Sequence, residues 1–117
     1  MNNIKIWHNA KCSKSRAAMQ LLETNKCDAD VVTYLEDTPS CEEIKEVINM
    51  LKTNARGIMR TKEVLYKELN LSDESLSEED LVEAMTTNPI LIERPIVIKD
   101  GRAAIGRPIE NIIDLIS

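Results

Sequence analysis

Apolar and polar positions along the 117-residue chain change period several times, and each change predicts an element. Over residues 3–8, Ile4 and Ile6 alternate with Lys5 and Trp7, the period of two that suits a strand. From Ser13 to Lys26 the period lengthens, and Ala17, Ala18, Leu21 and Leu22 fall on one helical face. Val31, Val32, Tyr34 and Leu35 predict a second short strand, so the opening reads as a parallel, right-handed β-α-β unit. Thr38-Pro39-Ser40 then offers cap residues and a first-turn proline ahead of Ile44, Val47, Ile48 and Leu51. Thr61 is placed to cap a short helix through Val64, Leu65 and Leu69, and Ser77-Glu78-Glu79-Asp80 resembles a capping box before Leu81, Val82 and Met85. Two apolar runs, 95–99 and 102–105, flank Asp100-Gly101, whose preference for positive φ suits a two-residue type I′ turn. Gly106-Arg107-Pro108 leads into a terminal helix with Ile109, Ile112, Ile113 and Ile116 on one side.

The order β-α-β, helices, β-hairpin, helix predicts an α/β fold with a mixed sheet. A thioredoxin-like core fits it, as one domain over residues 1–117 with a helical insertion at about 38–88. In such a fold Cys12, Arg94 with Pro95, and the Gly106-Arg107 turn are expected to approach one another at the strand ends.

Composition narrows the class. With 43% apolar and 30% charged residues, the chain can pack a core without being membrane-like or disordered. The start of the chain has no unbroken apolar run to serve as a targeting segment, and nothing later approaches a membrane span, so a cytoplasmic protein with no membrane partner is expected. Three cysteines without a paired framework fit a reducing compartment. A net charge of −5 and only Trp7, Tyr34 and Tyr66 as aromatics argue against nucleic acid as a ligand. The charge is uneven: acidic residues crowd 36–46 and 73–83, whereas positive charge gathers around Cys12 and at Arg94 and Arg107.

That clustering directs attention to Cys12. A thiol in the first turn of a helix feels unpaired backbone N–H groups, which favour thiolate and would also bind an oxyanion. Lys11, Lys14 and Arg16 stand within four residues and add to the effect. A cysteine packed beneath the turn like an alanine would gain nothing from these cations, which could equally belong to a solvated helix start; the charges favour a reactive thiol. Cys27, at the end of the predicted helix, and Cys41, beside Glu42-Glu43, lack cationic neighbours and read as structural. Ser15 occupies the place where a dithiol motif has its second Cys, so any reducing partner must bring its own thiol. One His and no clustered cysteine pairs argue against a metal site. His8 is either an ordinary strand-end residue or a group that holds the thiolate or shuttles a proton.

Five segments in order closely resemble the glutaredoxin-linked bacterial arsenate reductase family: His8-Asn9 with residues 11–16, Leu35-Glu36 with Thr38-Pro39, residues 60–63, residues 88–96 and residues 105–108. The resemblance implies a thioredoxin-like fold with inserted helices, in which Cys12 attacks arsenate and Arg60, Arg94 and Arg107 bind its oxygens. It further implies a cis peptide before Pro95, a supporting place for Ser15, no bound cofactor, glutathione as co-substrate and glutaredoxin as reducing partner; a monomer is expected. Spx-like regulators, which share the fold and bind RNA polymerase, are the rival reading. A thiol enzyme of the same family acting on another oxyanion is a third. Such regulators usually carry Cys-x-x-Cys, so Ser15 and the three arginines favour the enzyme.

Overall fold

The computed structural model describes residues 4–116; Asn3 of the expected first strand, and the start of the chain read for a targeting segment, lie outside them. The elements in chain order are β1 (Ile4–Trp7), α1 (Ser13–Thr24), β2 (Ala29–Val32), α2 (Cys41–Met50), a 3₁₀ turn (Ala55–Ile58), α3 (Val64–Glu68), α4 (Glu78–Thr87), a second 3₁₀ turn (Pro89–Leu91), β3 (Ile96–Lys99), β4 (Arg102–Ile105) and α5 (Glu110–Ile116). They fall into two compact units, one formed by the chain up to Asp37 together with the chain from Arg94 onward, the other by Thr38–Glu93.

The first unit holds all four strands in the order β2-β1-β3-β4. β1 pairs in parallel with β2 and antiparallel with β3, and β3 pairs antiparallel with β4, so the sheet is mixed as expected. Ile6, Val97 and Ala104 stand opposite one another across three strands. With Ile4 they pack against Ala18 and Leu22 of α1 and Ile112 and Leu115 of α5, in one buried cluster. Each fully buried aliphatic side chain in such a row is worth about 1.5–3 kcal/mol, and a slip of one residue would turn the row outward, so the cluster fixes the register. On the opposite face of β1, Trp7 is also buried, at 2% exposure.

Several expected faces are narrower or rotated. In α1 the buried positions are Ser15, Ala18 and Leu22, while Ala17 is exposed. In α5 they are Ile112 and Leu115, with Ile113 outward. Where a helix carries more apolar residues than one stripe needs, the sheet beneath selects the stripe. The second strand ends at Val32, before Tyr34 and Leu35; Thr33 O accepts N–H donors from Glu36 and Asp37 and closes a turn there. α1 stops at Thr24 because Lys26 takes a left-handed φ of 56° and Cys27 N–H returns to Leu22 O. The hairpin has the predicted turn, with Asp100 at φ 49° and Gly101 at φ 78°. Lys99 Nζ and Arg102 Nη2 reach the carbonyls of Ile116 and Leu115, supplying the end of α5 with the positive charge its own last turn lacks.

The second unit is helical. Ser40 and Ser77 each accept an N–H from the third helical residue, and Glu43 and Asp80 return the bond, closing two capping boxes. Pro39 therefore stands before the cap rather than in the first turn. α3 begins after Glu63, not Thr61, and buries Tyr66 while Val64 and Leu69 stay exposed. No helix among the described residues is long and apolar enough to cross a membrane.

Candidate active site around Cys12

The register brings distant segments together. Val32, Trp7, Ile96 and Ile105 form one row across the sheet. β1, β2 and β4 run out of the sheet at that row and β3 runs into it, so the segments after Trp7, after Val32, before Ile96 and after Ile105 all lie at one sheet end. Cys12, Tyr34, Arg94 and Arg107 sit on those four segments.

The loop from β1 to α1 is braced by its own polar groups. Asn9 Oδ1 accepts the Lys11 N–H at 3.0 Å, and Asn9 O accepts the Cys12 N–H at 3.0 Å. Ser15, fully buried, accepts the Asn9 N–H at 3.0 Å and shares a 2.6 Å bond with His8 Nδ1. The residue that replaces the second thiol of a dithiol motif thus ties the loop to its helix. His8 has its pKa lowered, by burial first and by the Arg16 charge second, so its ring is neutral at pH 7.

Cys12 is the N-cap of α1, with extended backbone (φ −96°, ψ 123°), no side-chain cap bond and no acidic residue in the first turn. Burial pushes its thiol up, but the backbone N–H groups of Ser15 and Lys14 and the Arg94 guanidinium outweigh that and bring the pKa from 9.0 to about 7. Arg107 Nη2 lies 3.5 Å from Sγ. The sequence-adjacent cations invoked earlier are not the main source: Lys11 and Lys14 are exposed, where water screens them, and Arg16 turns to Ala10 O at 2.8 Å.

Arg94 precedes β3 across a cis peptide to Pro95, and a second cis peptide joins Arg107 to Pro108. Its guanidinium charge favours the thiolate of Cys12. Nε and Nη1 of the same group are buried and have no hydrogen-bond acceptor among the described residues. Arg107 Nε donates to Arg94 O at 2.7 Å, locking the two arginines to each other. Gly106 N–H donates to Pro95 O at 2.8 Å, and a Cβ on Gly106 would lie 2.7 Å from both Pro95 Cγ and Ile112 Cδ1. Only glycine allows that approach, which sets where Arg107 begins.

Arg60 belongs to the second unit. Its N–H donates to Leu91 O at 2.7 Å, its Nε faces Glu63 Oε2 at 3.5 Å, and its Nε and Nη1 are buried without a hydrogen-bond partner. Cys27 and Cys41 are free thiols, as is Cys12; Cys27 contacts Asn25 O at 3.7 Å and Cys41 contacts Thr86 Oγ1 at 3.3 Å. Among the described residues no three His, Cys, Asp or Glu stand together as metal ligands would. One contributor escaped the sequence reading: Asn9 carries an Asx-turn signal three residues before Cys12 that could have been used.

The sequence profile of the ArsC family matches residues 7–115. This chain belongs to the ArsC family. It is 50% identical over 113 residues to a Neisseria meningitidis serogroup A protein named arsenate reductase, covering 96% of this chain and 97% of that one. It is 49% identical over 114 residues to YfgD of Escherichia coli K12, covering 97% of this chain and 96% of YfgD. The solved arsenate reductase from Vibrio cholerae superposes with a TM-score of 0.92 at 49% identity, over 95% of each chain. The thioredoxin-like fold expected from the sequence is thus the fold of this ArsC protein. Chemically, its Cys12 end of the sheet combines a thiol whose pKa is lowered to about 7 with guanidinium donors that have spare valence.

Proposed function

We propose that this ArsC-family protein is an oxidoreductase that reduces arsenate to arsenite, with the Cys12 thiolate as nucleophile. The observation that carries the reading is Cys12 itself: an uncapped helix start, a thiol held near pH 7, Arg107 at 3.5 Å and an Arg94 fork with buried, unused donors. Arsenate carries several negative charges on oxygen, which such forks hold in bidentate fashion while the sulfur approaches arsenic. Sulfur–arsenic bond formation expels one oxygen, which leaves as water after taking up protons. A second thiol, glutathione, then attacks; the two sulfurs together give up two electrons, As(V) becomes As(III), and arsenite departs. Cys12 is left in a mixed disulfide with glutathione, which glutaredoxin resolves because Ser15 cannot.

No resident cofactor takes part in this scheme, since both electrons come from thiols. Arg60 serves as a third oxygen ligand by resemblance, supported by its own unsatisfied donors. The protein works as a monomer in the cytoplasm, where glutathione keeps Cys12 reduced. The test is arsenite release from arsenate in the presence of glutathione and glutaredoxin, parent against Cys12→Ser. Turnover by the parent and loss of at least about three orders of magnitude in the variant are expected for removal of a nucleophile. Undiminished turnover without the sulfur would eliminate the mechanism, and an inert parent would return the regulator and the other-oxyanion enzyme to consideration.

A further inference from the structure

We infer that Asn111 is a positioning residue for Arg107: its side-chain amide fixes the turn from which Arg107 reaches Cys12. β4 is the last strand of the sheet, and Gly106 N–H bonds inward to Pro95 O at 2.8 Å. Neighbouring residues of an antiparallel strand face opposite ways, so Ile105, one place earlier, turns its carbonyl to the open edge of the sheet. Asn111 Nδ2, in the first turn of α5, donates to that carbonyl at 3.0 Å. The Asn111 backbone N–H donates to Pro108 O at 3.1 Å, so one residue holds the turn on both sides of Gly106-Arg107. Arg107 and Pro108 are exposed, and hydrogen bonds rather than burial therefore set where this turn lies. The Arg107 side chain continues the line: Nε donates to Arg94 O at 2.7 Å, and Nη2 lies 3.5 Å from Cys12 Sγ. That last contact is at the limit of reach, so a small shift of the turn ends it. By propensity alone asparagine is a poor choice for an exposed helical position; the bond back to Ile105 is what its amide supplies there. The amide donates without carrying charge, whereas an aspartate of the same shape would have no proton to give and would draw Arg107 away from an anion.

The role rests on the arsenate reading only for its binding arm. Asn111→Ala removes the amide and leaves α5 no weaker, since alanine is the better helix former. The Arg107 Nε–H resonance in a proton–nitrogen correlation spectrum, identified by its loss in Arg107→Lys, reports the side chain directly and needs no ligand. In Asn111→Ala it is expected to move toward the position of a free arginine side chain. Protection of Cys12 from iodoacetamide by inorganic arsenate, read on the Cys12 peptide, should weaken by roughly two- to tenfold, the ordinary worth of one hydrogen bond. In an Arg107→Ala background the same substitution should change protection no further, because Asn111 acts through Arg107. An unmoved resonance overturns the inference, as does parental protection in Asn111→Ala or a loss of protection that persists in the Arg107→Ala background. If the resonance moves but arsenate protects not even the parent, the positioning role stands and the arsenate reading falls.

Discussion

The starts of α1 and α2 present the same backbone feature in opposite electrostatic states. At α2, Ser40 caps the Glu43 N–H, Glu43 returns the bond, and Glu42 and Glu43 put two carboxylates in the first turn. α4 repeats this with Ser77 and Asp80, and Glu78 and Glu79 join Asp80 as the acids of its first turn. Their free N–H groups are satisfied from within, and an anion approaching either would meet negative charge. At α1 the cap is Cys12, no side chain bonds back, and the first turn has no acid. The backbone N–H groups of Ser15 and Lys14 there favour the ionised sulfur instead. A helix start thus becomes a reactive site by what it omits, and the acidity of a chain with net charge −5 is confined to places where it does not oppose the thiolate.

The comparison can be broken or sharpened by substitution. The largest effect short of removing the sulfur itself is expected for Arg94→Ala. Losing one preorganised oxyanion donor lowers kcat by about 10²–10³-fold, and an alkylation titration should show the Cys12 midpoint rising from about 7 toward 9.0. A smaller change converts α1 toward α2. Lys14 holds the helical position that Glu42 holds in α2, so Lys14→Glu places a carboxylate in the first turn. At about 0.3–1 kcal/mol for a charge in that position, the thiol midpoint should rise by roughly 0.2–0.7 pH unit, and more at low salt. In the parent, alkylation should climb tenfold per pH unit below 7 and level off above it; in Lys14→Glu the plateau should begin later. An unchanged profile would show that the first-turn charge is irrelevant to the sulfur.

The same thiol links pH to folding. Its folded pKa lies below the unfolded one, so the ionised sulfur stabilises the fold above pH 9, and the contribution fades as pH falls through about 7. The smallest effect on the site is expected from the insertion. Ser40→Ala removes one capping box and should cost about 1 kcal/mol in denaturant unfolding. Cys12 titration and arsenate turnover should not change, because that cap serves only its own helix.

The residues differ in how far they could be read ahead of the structure. The two capping boxes, the Asp100-Gly101 turn and the strand periods of β1, β3 and β4 were legible because each is decided by bonds within about four residues. Helix faces were less so: Ala17 and Ile113 point outward although periodicity alone admits them to the core, since the sheet and not the helix chooses the stripe. The charge near Cys12 was legible but misattributed. Lys11, Lys14 and Arg16 are adjacent in the chain, yet screening and exposure leave their side chains minor, whereas the Ser15 and Lys14 backbone N–H groups and the distant Arg94 guanidinium favour the thiolate. Tyr34 was read as a strand residue and instead lies buried in a turn past the end of β2.

Local order therefore supplied the elements, their caps and the presence of a thiol with the right residue types around the chain: each follows from backbone propensities and hydrogen bonds that close within a turn. The ionisation of that thiol is only partly local: the Ser15 and Lys14 N–H groups belong to the same helix start, whereas the Arg94 guanidinium reaches the sulfur from far along the chain, an approach set by the antiparallel register that places Trp7 and Ile96 in one row. Coulomb energy falls with separation in space and is indifferent to separation along the chain, so only packing Ile6, Val97 and Ala104 into a common core could decide it.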